Sequence, residues 1–232
     1  MHGANLGLAA RRRERLDALA AGLAGDHCLY PVDVTDGAAL SGAAADFISR
    51  HGVPDIVIAN AGISVGTLTE YAEDLPTFRR VLDTNLIGMA ATFQPFIAPM
   101  RTAHRGRLVG IASVAGIRGL PGAGAYSASK AASISYLESL RVELRGSGVR
   151  VVTICPGYVD TPMTAVNRYP MPFLLKADDA ARRIARAIER GASYTVIPWQ
   201  MAIVAKLLRM LPNPVFDRLS ARAGHKPRGL ET

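Results

Sequence analysis

The sequence predicts an α/β fold in which a parallel sheet lies between two layers of helices. Three observations predict it. Short apolar runs rich in Val, Ile and Leu alternate with longer stretches whose apolar residues recur at helical spacing. Turn-forming residues close the runs, as in Asp33, Asn60-Ala61-Gly62 and Cys155-Pro156-Gly157. No linker, repeat or low-complexity segment interrupts the alternation, so residues 1–232 are expected to form a single domain.

In chain order, Leu6 to Ala9 is the first apolar run and ends in Arg11-Arg12-Arg13. Glu14 to Leu23 has helical periodicity. Cys28 to Val32 reads as a strand closed by Asp33, and Ala38 to Arg50 as a helix. Ile56 to Ala59 is a third strand. A loop then leads into a long helix, Leu75 to Met100, whose last turns Pro95 and Pro99 are expected to break. Arg107 to Ala112 reads as a buried strand that delivers Ser113 at its carboxyl end. Ala131 to Arg145 continues the helix of Tyr126, with Ile134, Leu137, Leu140 and Leu144 on its apolar face. Val149 to Ile154 is the next strand. The loop Tyr158 to Leu175, the helix Ala177 to Arg190, the strand Tyr194 to Ile197 and a carboxyl-terminal helix with a basic tail complete the chain.

Composition narrows the function classes. Hydrophobic residues make up 49% of the chain, which excludes disorder. Cys28 and Cys155 both lie in apolar strand-like runs, which suits buried thiols in a reducing, cytoplasmic setting better than a disulfide. The net charge of +8 is mostly arginine scattered over helix faces (Arg79, Arg101, Arg141, Arg182, Arg186, Arg190), with no aromatic stripe beside it. Solvated faces explain that pattern better than nucleic acid. Thr84 to Met100 and Gly191 to Ala205 are long and uncharged, but both contain proline and fall short of the ~20 residues of a membrane span. The second run continues through Lys206, Leu207, Leu208 and Leu211 as an amphipathic segment, which leaves peripheral membrane contact open.

The chemistry concentrates between Ser113 and Lys130. A strand end presents Ser113, and a helix presents Tyr126 and Lys130 four residues apart on one face. A hydroxyl, a phenol and an ammonium would therefore converge at the carboxyl edge of a parallel sheet, where such folds bind ligands. Working near neutrality asks a phenol of pKa ~10 to drop by about 2 to 3 units. One ammonium ~4 Å away supplies about 4 kcal/mol, enough for that drop.

Asp33-Val34, Asn60-Ala61-Gly62, Asn85 within Asp83-Thr84-Asn85, Ser113, Tyr126-x-x-x-Lys130, and Pro156-Gly157 followed by Thr161 resemble, in order and spacing, the short-chain dehydrogenase/reductase family. A lone Tyr-x-x-x-Lys pair arises by chance roughly one time in eight in a chain of this composition. Six ordered matches do not.

The resemblance implies a Rossmann-like doubly wound α/β/α sandwich and an oxidoreductase interconverting a carbonyl and a secondary alcohol. Tyr126 would be the general acid or base. Lys130 would hold the nicotinamide ribose, Ser113 the substrate oxygen, and Asn85 a water of the proton relay. Asp33 would accept from the adenine amino group and Val34 cover the ring. Asn60, Ala61 and Gly62 would admit the ribose. Pro156, Gly157, Val159 and Thr161 would fix the carboxamide. Arg11 and Arg12, with Ala10 where NAD-preferring relatives carry an acid, imply NADP(H), with NAD(H) as the alternative. The apolar loop with Met163, Tyr169, Met171, Phe173 and Leu174 implies an apolar substrate under a lid. A homodimer or homotetramer through the helices at Leu75 and Tyr126 is also implied.

One family feature is missing. No glycine-rich turn occurs before Asp33, and the chain opens at Gly3-Ala4-Asn5-Leu6, just before what resembles the second strand. The expectation is therefore an amino-terminally truncated domain, with Met1 not the natural start. The absent strand belongs between those at Leu6 and Ile56, so two rows of backbone groups would lack partners unless these strands close up. The rival reading is a cofactor-free fragment acting only as a binding or oligomerisation partner.

Overall fold

The structure, a computed structural model, describes residues 4–167, 169–221, 224 and 226–229. Met1 and Gly3 lie outside the described residues.

Four strands form a parallel sheet in the order β3 (Ile56–Ala59), β4 (Gly106–Ile111), β5 (Val149–Pro156) and β8 (Tyr194–Ile197). Side chains alternate across a strand, and the two faces carry separate cores. Leu108 and Val151 pack with Met89, Phe93 and Met100 of α4 (Gly88–Thr102) and with Leu137 and Leu140 of α5 (Gly124–Glu143). Their neighbours Val109 and Val152 pack on the other face with Ala187 and Ile188 of α7 (Ala177–Arg190). The helix of Ala177 to Arg190 and the strand of Tyr194 to Ile197 have the ends expected from the sequence.

β1 (Leu6–Ala10) and β2 (His27–Pro31) pair in parallel with each other and, among the described residues, with no strand of the main sheet. α1 (Arg13–Ala21) follows β1, and α2 (Gly37–His51) packs against α4 and holds this pair at the side of the sheet. The strands at Leu6 and Ile56 have not closed up. Between them lies a cavity of about 180 Å³ lined by Gly7, Ala9, Tyr30, Phe47, Ile58 and Phe96. Ile58, in the middle of β3, is consequently 48% exposed.

The helix expected from Leu75 to Met100 is three pieces. α3 (Asp74–Leu82) passes into a π-helical turn, Asp83–Ile87, and then into α4. Pro95 and Pro99 do not break its last turns; both lie inside α4, which runs on to Thr102. They are four residues apart and so remove backbone donors from one face only, while the opposite face stays anchored through Phe93 and Met100. The loop expected from Tyr158 to Leu175 contains β6 (Val159–Asp160), the short α6 (Pro162–Ala165) and β7 (Leu175–Lys176), which pairs with β6. The carboxyl-terminal helix is likewise two, α8 (Trp199–Met210) and α9 (Asn213–Ser220). Cys28 and Cys155 are buried free thiols.

Candidate active site

The carboxyl ends of β3, β4 and β5 meet α5 at one edge of the sheet. Ser113 follows β4 and caps a single 3-10 turn, Val114–Gly116, its Oγ accepting from the Ala115 amide at 3.1 Å. That turn lies directly on α5: a Cβ at Gly116 would sit 2.6 Å from the Lys130 carbonyl carbon. Only glycine permits so close an approach, and it fixes Ser113 relative to the helix. Tyr126 occupies the first turn of α5, half-buried, on the side of the helix that meets the Ser113 strand end.

Lys130, one turn along, is 4% exposed and donates from Nζ to the Ile111 carbonyl at 2.7 Å. Its ammonium stands 5.9 Å from the centre of the Tyr126 ring. The lysine is thus tied to the end of β4. Burial pulls its pKa down to about 8. Burial also pushes the Tyr126 phenol up, opposed by the neighbouring Ser113 hydroxyl. This corrects the expectation that Lys130 depresses the phenol. Desolvation of the phenolate outweighs an ammonium held at that distance, and the Tyr126 phenol is neutral in this state. Cys155, buried nearby, has its thiol pushed up by burial and provides no counter-charge.

Asn85 sits at the centre of the π-helical turn and is fully buried. The widened turn aims its amide across the gap between two elements. Oδ1 accepts from the Ile63 amide at 2.8 Å, while Nδ2 donates to the Ile63 carbonyl and to Ser129 Oγ, both at 3.0 Å. Its backbone carbonyl accepts from Ser133 Oγ at 3.3 Å. Oδ1 accepts that one hydrogen bond and keeps a second lone pair. Both Nδ2 donors are used by protein partners, and the residue locks the loop after β3 onto α5. At Gly62 a Cβ would lie 3.3 Å from Asn85 Oδ1 and 3.6 Å from Lys130 Nζ, which brings that loop's backbone to the lysine.

The other expected contacts fall into two groups. Asn60 and Ala61 are exposed at the end of β3. Pro156 ends β5; Gly157 donates its amide to the Ile197 carbonyl at 2.7 Å; Val159 lies in β6 and Thr161 caps α6. These border the Ser113–Tyr126 edge. Arg11, Arg12, Asp33 and Val34 instead follow β1 and β2, across the cavity. Asp33 anchors its own turn through one oxygen: its Oδ1 takes the Thr35 amide at 2.9 Å and the Thr35 hydroxyl at 2.8 Å, while Oδ2, 3.9 Å from Arg11, takes no hydrogen bond among the described residues. The short turn after β2 satisfies its own backbone through that carboxylate. Thr35 and Arg11 hold the carboxyl below its ordinary value, against the opposing effect of burial. Asp36, not Asp33, caps α2. Val34 presses on Gly88 of α4.

Sequence reasoning missed a strap over this edge. Gly66 pairs with Arg228 and donates to the Pro227 carbonyl at 3.0 Å, where a Cβ would meet Lys226 O at 2.1 Å. Lys226, 8% exposed, donates to Ser64 Oγ and the Met163 carbonyl, both at 3.0 Å, and burial lowers its pKa to about 8. Arg228 Nε donates to Asp74 at 2.8 Å, and its guanidinium stacks 3.6 Å from the Tyr71 ring centre. The only local signal was Lys226-Pro227, which reads as extended. Met163, Phe173 and Leu174 of the expected lid are exposed and are not core.

Among the described residues no cluster could hold a metal ion, and no helix is long and apolar enough to cross a membrane. A family model described as short chain dehydrogenase matches residues 1–171. An uncharacterized oxidoreductase of Myxococcus xanthus is 45% identical over 72% of this chain and 66% of its own length. Dehydrogenase/reductase SDR family member 7B of Bos taurus is 30% identical over 97% of this chain and 75% of its own length. Among solved structures, a short-chain dehydrogenase from Streptomyces avermitilis superposes with a TM-score of 0.76, covering 93% of this chain and 85% of its own at 25% identity. With its parallel sheet flanked by helices and this site at the strand ends, the chain belongs to the short-chain dehydrogenase family.

Proposed function

We propose that the protein is an NADP(H)-dependent oxidoreductase that interconverts a carbonyl and a secondary alcohol on an apolar small molecule. The observation that carries this reading is the convergence of Ser113, at the carboxyl end of β4, with Tyr126 and the buried Lys130 on one face of α5, the lysine tied to the end of β4 through the Ile111 carbonyl. In the reducing direction the Tyr126 hydroxyl donates its proton to the carbonyl oxygen, and Ser113 donates a hydrogen bond to the same oxygen as charge develops. In reverse, Tyr126 accepts the alcohol proton. The exposed Met163, Phe173 and Leu174 supply an apolar cover.

The residues present fit the nicotinamide end of such a cofactor. Of the three donors on the buried Lys130 ammonium one is used, which leaves donors for ribose hydroxyls beside the close backbone approach at Gly62. When bound, the cofactor supplies the hydride. At the adenine end, Arg11 and Arg12 are exposed cations suited to a 2′-phosphate. Asp33 beside Arg11 works against that phosphate and keeps NAD(H) as the alternative. A dimer or tetramer through α3–α5 fits the exposed Leu75, Ile87 and Val142.

The cavity between β1 and β3 favours a second reading, a binding or assembly partner without turnover. Titration with NADPH, following nicotinamide fluorescence, separates the two, and a screen of ketones and aldehydes then reads the substrate. Absence of NADPH binding supports the second reading.

A further inference from the structure

α8 has two apolar faces. Met201 and Ala205 are buried against the body of the protein. On the opposite side Trp199, Ile203, Leu207 and Met210 are 64%, 51%, 59% and 80% exposed. Their helical spacing aligns them in one stripe. Scattered exposed apolar residues need no explanation, but a continuous stripe of four large ones marks a surface that meets something apolar.

The charges beside the stripe identify the partner. α8 contains no acidic residue, and Lys206 and Arg209 flank the stripe along one side. Lys206 makes no ion pair among the described residues. A second copy facing this stripe would bring two Lys206 ammoniums together with no carboxylate on either helix to meet them. An anionic headgroup layer matches both the cations and the apolar stripe, and the net charge of +8 adds a long-range attraction. The helix is too short to cross a bilayer, so it would lie in the interfacial plane. We propose that α8 docks this protein peripherally on an anionic lipid surface through Trp199, Ile203, Leu207 and Met210. The proposal is independent of the reaction assigned to the site.

Trp199 is the only tryptophan in the chain, so its emission reports this face alone. The full chain is mixed with vesicles of phosphatidylcholine, with or without phosphatidylglycerol, and followed by emission and co-sedimentation. The expected result is a shift to shorter wavelength and sedimentation only with phosphatidylglycerol, reversed by salt. Lys206→Glu is expected to weaken partitioning roughly 30-fold. Ile203→Ser with Leu207→Ser is expected to abolish the emission shift. All three positions are exposed, and retention of circular dichroism checks the fold; should the double variant unfold, Lys206→Glu alone decides. Absence of binding, or equal binding to pure phosphatidylcholine, overturns the proposal. So does a lipid-free oligomer in which Trp199 is already shielded from acrylamide, which would assign the stripe to a second copy.

Discussion

Lys130 donates its hydrogen bond to the Ile111 carbonyl at 2.7 Å and stands 5.9 Å from the centre of the Tyr126 ring. The ammonium is therefore a fixed feature of the strand end, held out of water at the expense of its own charge. Its pKa of about 8 records that strain, since desolvation disfavours the charged form.

Lys130→Met is expected to stabilise the fold while removing turnover. Relief of the buried charge, less the lost hydrogen bond to Ile111, leaves a gain of about 2 kcal/mol at neutral pH. Folded Lys130 releases its proton near pH 8, whereas the unfolded side chain holds it to about 10.5. Between these values only the unfolded chain binds the proton, so wild-type stability gains from Lys130 as pH rises through that window. The variant lacks that rise. Urea denaturation at pH 7 and pH 10 reads both effects, and a variant less stable than wild type at pH 7 refutes the assignment.

Asn85→Ala is expected to destabilise by about 3 kcal/mol. It removes the partner of the half-buried Ile63 amide and carbonyl and the donor to Ser129 Oγ, which keeps its bond to the Tyr126 carbonyl. Chemical denaturation measures the loss. A change below about 1 kcal/mol would show that the loop after β3 does not depend on this clasp.

Arg228→Ala is expected to release the strap. Limited proteolysis should then cut near the carboxyl terminus faster than in wild type. Arg228, with the Leu68 amide, holds the Asp74 carboxyl below its ordinary value. The clasp is therefore present above the ordinary carboxylate range and lost as pH falls below it. Cleavage of wild type should accelerate in acid, while that of the variant changes less. Equal cleavage rates across these conditions would remove the clasp from the account.

Local pattern makes much of this legible in the sequence. The strand Ile56–Ala59 and the helix Ala177–Arg190 could be read from apolar runs and helical spacing alone. Ser113, Tyr126 and Lys130 could be placed because strand end and helix face follow from the same periods. The π-helical turn at Asn85 was not legible, because one inserted residue barely alters the apolar spacing. Pairings such as Lys226 with Ser64 join residues far apart in sequence and leave no local trace. The direction of the Tyr126 shift failed for a related reason. Spacing supplied its cation but not its burial, and burial dominates.

The central claim is that Tyr126 transfers the proton. The most direct measurement is carbonyl-dependent NADPH consumption by wild type and by Tyr126→Phe, with NADPH affinity measured alongside. Tyr126→Phe is expected to lower turnover by about 10²- to 10⁴-fold while NADPH still binds. Turnover within a few-fold of wild type would contradict it.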